Sequence, residues 1–176
     1  MKIKLVIITL GIGLLLAGCI TPDKKNAKDK NIKTYLTDLD GDGKKEIVET
    51  EDRSITDYLS ILSISTVKNK VKETTDSLSV PGKINKVEFP ELNRDGTRQI
   101  AVYFIGQNSL SNIAVYDTNN NRLFKIFAAS SAYGIDTDFG LVSRIKIGKA
   151  ARYSNPTSFS MDWDNWVWSG NKFILD

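Results

Sequence analysis

The chain has 176 residues, 24 lysines and arginines against 21 acids, no histidine and a single cysteine. The missing histidine rules out Ser-His-Asp and Cys-His nucleophile systems and histidine zinc sites, and a lone cysteine rules out an internal disulfide. The formal charge of +3 is not spread evenly, and its location decides whether nucleic acid is a sensible partner.

At the N-terminus, Lys2 and Lys4 precede an uncharged apolar run from Leu5 to Leu16, closed by Ala17, Gly18 and Cys19. That is the three-part layout of a signal peptide. The run is about a dozen residues long, whereas a spanning helix takes roughly 20, so a permanent transmembrane anchor fits less well. Leu16-Ala17-Gly18-Cys19 resembles the lipobox of bacterial lipoproteins. The resemblance implies cleavage after residue 18 and a Cys19 that carries diacylglycerol with palmitate-like acyl chains. The implied location is extracytoplasmic, on the cell membrane or, in a two-membraned cell, the outer membrane.

Residues 19–33 read as the lipidated cysteine and a solvated tether, with five lysines against Asp23 and Asp29. Setting aside Lys2, Lys4 and the tether charges leaves 17 basic and 19 acidic residues over 34–176. The expected folded domain is nearly neutral, which excludes the concentrated basic face of a nucleic-acid binder. The tether lysines suit anionic lipid headgroups, at up to about 1 kcal/mol each close to the surface, or simply keep the segment soluble.

From Thr34 to Asp176 there is no sustained helical period. Short runs rich in Val, Ile, Tyr, Phe and Thr are separated by turn residues, which predicts an all-β domain of short antiparallel strands. In chain order the expected strands are Glu46–Glu51, Tyr58–Thr66, Val71–Thr75, Ile84–Phe89, Gln99–Ile105 and Asn112–Asp117. They continue with Leu123–Phe127, Leu141–Ile147, Ser158–Asp162, Trp166–Ser169 and Lys172–Leu175. Asp117–Asn121 and Ser169–Asn171 have the composition of hairpin turns.

The strongest chemical signal is Asp38-Leu39-Asp40-Gly41-Asp42-Gly43-Lys44-Lys45-Glu46-Ile47. Carboxylates at alternate positions, with glycines that let the chain curl, direct oxygens toward one point. A hard cation such as Ca2+ needs six to eight oxygens at about 2.3–2.6 Å. The spacing also satisfies an EF-hand, with Gly43 sixth and Glu49 twelfth. However, Ile47–Glu51 looks extended rather than helical, and Lys45 stands where that motif places an aliphatic residue.

With its apolar residue at Ile47, the segment instead resembles the calcium loops of FG-GAP/VCBS repeats, found in integrin-type β-propellers and bacterial surface proteins. The resemblance implies side-chain ligation by Asp38, Asp40, Asp42 and Glu46, with the Lys44 carbonyl as a backbone ligand. Glu91-Leu92-Asn93-Arg94-Asp95-Gly96-Thr97-Arg98-Gln99-Ile100 aligns with the first loop without gaps, about fifty residues later, a repeat-like period. Asn93 and Gln99 replace acids, so Glu91, Asn93 and Asp95 make at most a weak second metal loop. A third, poor match covers Gly134–Gly140. About three repeat-like units are therefore expected, as a partial β-propeller-like arc or a small sandwich or barrel.

Trp163, Trp166 and Trp168 cluster near the C-terminus. Alternation puts Trp166 and Trp168 on one strand face, where they either pack in the core or stack on a glycan. The expected function is a non-catalytic, calcium-stabilised β module for binding or adhesion in the envelope, with an envelope protein or glycan as partner. The alternative is an envelope enzyme acting on polysaccharide through paired carboxylates.

Overall fold

The computed structural model describes residues 31–54, 58–150 and 161–176. The proposed signal peptide, Cys19 and the tether up to residue 30 lie outside the described residues, as do the first three residues of the expected Ser158–Asp162 strand.

The domain is all-β, with twelve strands in three four-stranded antiparallel sheets. The first sheet holds β1 (Asn31–Thr37), β2 (Glu46–Ser54), β3 (Leu59–Lys68) and β4 (Val71–Val80). The middle sheet holds β5 (Lys83–Glu88), β6 (Ile100–Ile105), β7 (Ser111–Asn119) and β8 (Arg122–Ser131). The third holds β9 (Ile135–Asp138), β10 (Arg144–Ala150), β11 (Met161–Trp168) and β12 (Phe173–Leu175). Each sheet is a simple meander in sequence order, so about three repeat-like units is what the chain builds.

Turn chemistry closes the hairpins as the strand twist requires. Asn69 and Lys70 between β3 and β4, and Asn120 and Asn121 between β7 and β8, all have positive φ. This is the two-residue primed turn that matches right-handed strand twist.

Period-2 alternation then decides the layering. On β2 and β3, Val48, Leu62 and Ile64 are buried and point to the middle sheet, while the intervening Ile47, Glu49 and Ile61 are only half-buried. The middle sheet is apolar on both faces. Ile100, Val102, Phe104 and Ala114 join the core shared with the first sheet, whereas Ala101, Ile113 and Val115 join Ile145, Ile147 and Phe173 of the third. The sheets are thus stacked in sequence order, with the middle one sandwiched. Each fully buried aliphatic stabilises the stack by about 1.5–3 kcal/mol.

Polar links tie the layers. Ser60 Oγ, fully buried, donates either to Asp52 Oδ1 or to the Gly82 carbonyl, each 2.8 Å away, and accepts from the Ile84 amide, bracing the passage from the first sheet to the middle one. Tyr103 Oη lies 2.5 Å from Glu88 Oε2 and 2.6 Å from Thr137 Oγ1, joining the middle and third sheets. Desolvation is the main reason the Tyr103 hydroxyl holds its proton far above the usual tyrosine range, with the Glu88 hydrogen bond adding to it.

Several strands run longer than expected, β4 to Val80 and β8 to Ser131 among them, and four differences change the reading of a segment. β1 takes in Asn31–Lys33, which composition assigned to the tether, and pairs along its length with β2. Leu141–Ser143 is a loop, and the expected strand there starts at Arg144. β9 falls on the segment read as a poor third loop. β11 runs unbroken through Trp163–Asn165, because Asp164 and Asn165 pair with Ile147 and Lys146 of β10.

Candidate metal loop

Loop 38–45 joins β1 to β2, and loop 91–98 lies in the equivalent position between β5 and β6. Their internal hydrogen bonds coincide. Leu39 N donates to Glu46 Oε2 at 2.8 Å, and Leu92 N to Gln99 Oε1 at 3.0 Å. Gly43 N donates to Asp38 Oδ2 at 2.9 Å, and Gly96 N to Glu91 Oε1 at 3.0 Å. Lys44 N donates to Asp42 Oδ1 at 2.7 Å, and Thr97 N to Asp95 Oδ1 at 2.9 Å. Even the left-handed backbone recurs, at Gly41 and Gly43 in one loop and at Arg94 and Gly96 in the other. The gapless sequence match is thus a repeat in three dimensions.

In the first loop the carboxylates converge. One oxygen each of Asp38, Asp40 and Asp42 lies within 4.8 Å of the others. Three hard oxygen donors that close and largely exposed fit a hard cation, with backbone and water oxygens to complete the shell. Glu46 is not one of the three. It is buried beneath the loop at 5% exposure and spends Oε2 on the Leu39 amide. The Lys44 ammonium lies 2.8 Å from Asp42 Oδ2 and pulls the Asp42 carboxyl below its usual range, so a cation would compete with this lysine for that oxygen.

The second loop has spent its donors differently. Asn93, where the first loop has Asp40, accepts the Trp168 indole N–H at 2.9 Å. Arg94 donates from Nη2 to the Leu141 carbonyl of the third sheet's loop, and Asp95 Oδ1 also takes the Thr97 hydroxyl at 2.5 Å. The loops themselves touch, since Arg98 N donates to the Leu39 carbonyl at 2.9 Å. A Cβ at Gly41 would meet the Gly96 carbonyl at 3.3 Å, so glycine is required there by space as well as by φ. Three loops are consequently clasped in a row at one end of the stack. The clasp was not legible in the sequence, because nothing about an asparagine in an aspartate position indicates which side chain it will meet.

Trp166 and Trp168 share one face, as alternation requires, and that face is turned to the middle sheet. Trp166 lies edge-on to Phe127 at 5.5 Å and Trp168 edge-on to Phe173 at 5.1 Å, which accounts for both as packing residues. At the opposite end of the stack, a groove of about 730 Å3 opens between the first and middle sheets, lined by Tyr58, Phe104, Gln107, Asn108, Asn112 and Lys125 among others. Its lining among the described residues contains no carboxylate.

Burial, then repulsion from Asp40 and Asp38, raises the Glu46 carboxyl above its ordinary 4.5. A raised folded pKa means that the folded state holds this proton more tightly than the unfolded chain. Its contribution to stability is complete below about pH 4.5 and is lost as pH rises through the folded value. In chelator, Glu46→Gln, which copies the second loop, is expected to keep the Leu39 hydrogen bond and remove that loss. Thermal melts of both proteins from pH 4 to 7.5 check this, and a stability difference that does not grow toward neutral pH would contradict it.

Family models, curated proteins and solved structures contain no match to this chain.

Proposed function

We propose that this chain is an extracytoplasmic lipoprotein whose β domain, braced by calcium in the Asp38–Glu46 loop, serves binding or adhesion in the cell envelope rather than catalysis. The observation that carries the metal part is the convergence of Asp38, Asp40 and Asp42 in a loop whose backbone is already curled. Calcium there neutralises three carboxylates that otherwise repel one another and pins a loop on which the second loop leans. The FG-GAP/VCBS resemblance supports the same reading, with Glu46 as a supporting carboxylate beneath the ligands. The second loop, with Asn93 engaged by Trp168, serves as a clasp.

The anchor rests on Lys2, Lys4, the apolar run and Cys19 in their lipobox-like setting. The polysaccharide-hydrolase alternative needs two carboxylates facing each other across a cleft, at about 5–10 Å. The groove between the first and middle sheets has no carboxylate among its described lining residues. The partner is an envelope protein or glycan, and the near-neutral domain gives no reason to invoke nucleic acid.

Intact cells test the reading. Labelled palmitate is expected on the native chain and not on Cys19→Ala, and externally added protease is expected to degrade the domain faster once calcium is chelated. Label that survives Cys19→Ala removes the anchor, and digestion indifferent to chelator removes the brace.

A further inference from the structure

The first and middle sheets part company along β8. Near the start of that strand the Leu123 amide donates to Asp76 Oδ2 at 2.7 Å and ties β8 to β4. Further along, the residues that β8 turns toward the first sheet are Ala128 and Ser130, opposite Ala114 and Asn112 of β7, and their short side chains leave the groove of about 730 Å3 unfilled. That volume falls in the range of roughly 300–1,000 Å3 usual for ligand pockets. The wall of the groove is already built. A Cβ at Gly82 would meet the Ile105 carbonyl at 2.5 Å, so the turn after β4 is packed hard against β6. A Cβ at Gly106 would meet Asn108 Oδ1 at 3.2 Å and Asn112 Nδ2 at 3.3 Å, so the bare glycine is what lets these two amides share one wall. Asn112 donates to the Leu110 carbonyl at 2.7 Å and accepts from the Ser130 hydroxyl, and Asn108 Oδ1 accepts from the Leu110 amide at 3.3 Å.

From this we infer that the groove binds an acidic glycan, with an anionic sugar substituent at Lys125, ring hydroxyls at Gln107 and Asn108, and a sugar face against Tyr58. Such a ligand is the partner that the binding role proposed above calls for, and its assignment rests on that role. Charge selects the sign. Lys125 is the one charged side chain in the described lining, and no carboxylate among the described residues pairs with it. Gln107 and the Nδ2 group of Asn108 have no hydrogen-bond partner among the described residues. Side-chain amides both donate and accept, as sugar hydroxyls do.

Tyr58 supplies the flat surface. It is 42% exposed and has a φ of 43°, a backbone region that bulky residues rarely take and that clusters at ligand sites. The electron-rich face of its ring suits the polarised C–H bonds of a sugar. A protein partner is held instead by large anchors sunk in desolvated pockets. A floor of Ala128 and Ser130, both exposed, offers no such pocket. The groove lies at the end of the stack opposite the Asp38–Glu46 loop, so the two sites fail separately. Protein whose melting temperature responds to calcium but which holds no acidic sugar keeps the metal brace and loses the groove.

Full-length protein in detergent and calcium, applied to an array of oligosaccharides that carry uronate or phosphate groups, tests the site. Each acidic sugar is printed beside its methyl-esterified or dephosphorylated form, and acidic peptides of matched charge make a third set. Retention on at least one acidic sugar is expected, weaker by roughly tenfold or more on its uncharged form, and the uronate and phosphate sets tell which acid supplies the charge. Lys125→Gln is expected to erase the preference for the charged form. Tyr58→Asn, which suits the left-handed backbone but lacks the ring, is expected to weaken both forms alike. Both side chains are exposed, so the melting temperatures of the variants are expected to stay native. No retained acidic sugar, equal retention of charged and uncharged forms by the native protein, retention of the peptides alone, or sugar binding that survives both substitutions overturns the assignment.

Discussion

Chelating calcium is expected to lower the melting temperature of the protein by about 5–10 °C, and Asp40→Ala with Asp42→Ala is expected to abolish the difference between calcium and chelator. A ligand bound only by the folded state at a hundredfold excess over Kd stabilises it by about 2.7 kcal/mol. For a domain of this size each kcal/mol is worth about 2–4 °C. The effect is large because the chain has no disulfide to fall back on and because the first loop supports the second through the Leu39–Arg98 hydrogen bond and the Gly41–Gly96 contact. Scanning calorimetry with and without chelator reads it directly. A double variant that still responds to calcium would move the site elsewhere.

Ile113→Ala is expected to cost about 3–4 kcal/mol, through lost burial and the cavity left behind. Ile113 is fully buried in the middle sheet, in the core shared with the third. That sheet has no solvent face toward which a cavity can collapse, so the change falls at the upper part of the usual range. Val71→Ala, on an exposed hairpin shoulder of the first sheet, is expected to stay within about 0.5 kcal/mol. Denaturant unfolding of the two variants checks the layering. Equal costs would mean that the middle sheet is not sandwiched.

Strand type and the repeat were legible in the sequence, whereas the partners of strands and loops were not. Ile61–Ile64 and Ile100–Ile105 stand out because β-branched residues make up half of each, and the near-continuous apolar run of β6 marks burial on both faces. β1 was hidden because Asn31, Lys33 and Thr34 continue the polar composition before them, and only its pairing with β2 makes Asn31–Lys33 a strand. β9 is four residues long, and Asp136 and Asp138 read as loop acids until β10 pairs with them. The curl of the first loop was legible residue by residue, since alternate acids and two glycines act locally. Glu46 is where local reading stops, because its role depends on a burial that only the folded sheets create.

Whether the first loop holds a cation decides the rest, and titration calorimetry of calcium into chelator-stripped protein tests it most directly. One calcium per chain, with the heat lost in Asp40→Ala with Asp42→Ala, is the predicted result. No binding heat in the native protein would contradict the metal-braced domain and reduce Asp38–Glu46 to a polar turn.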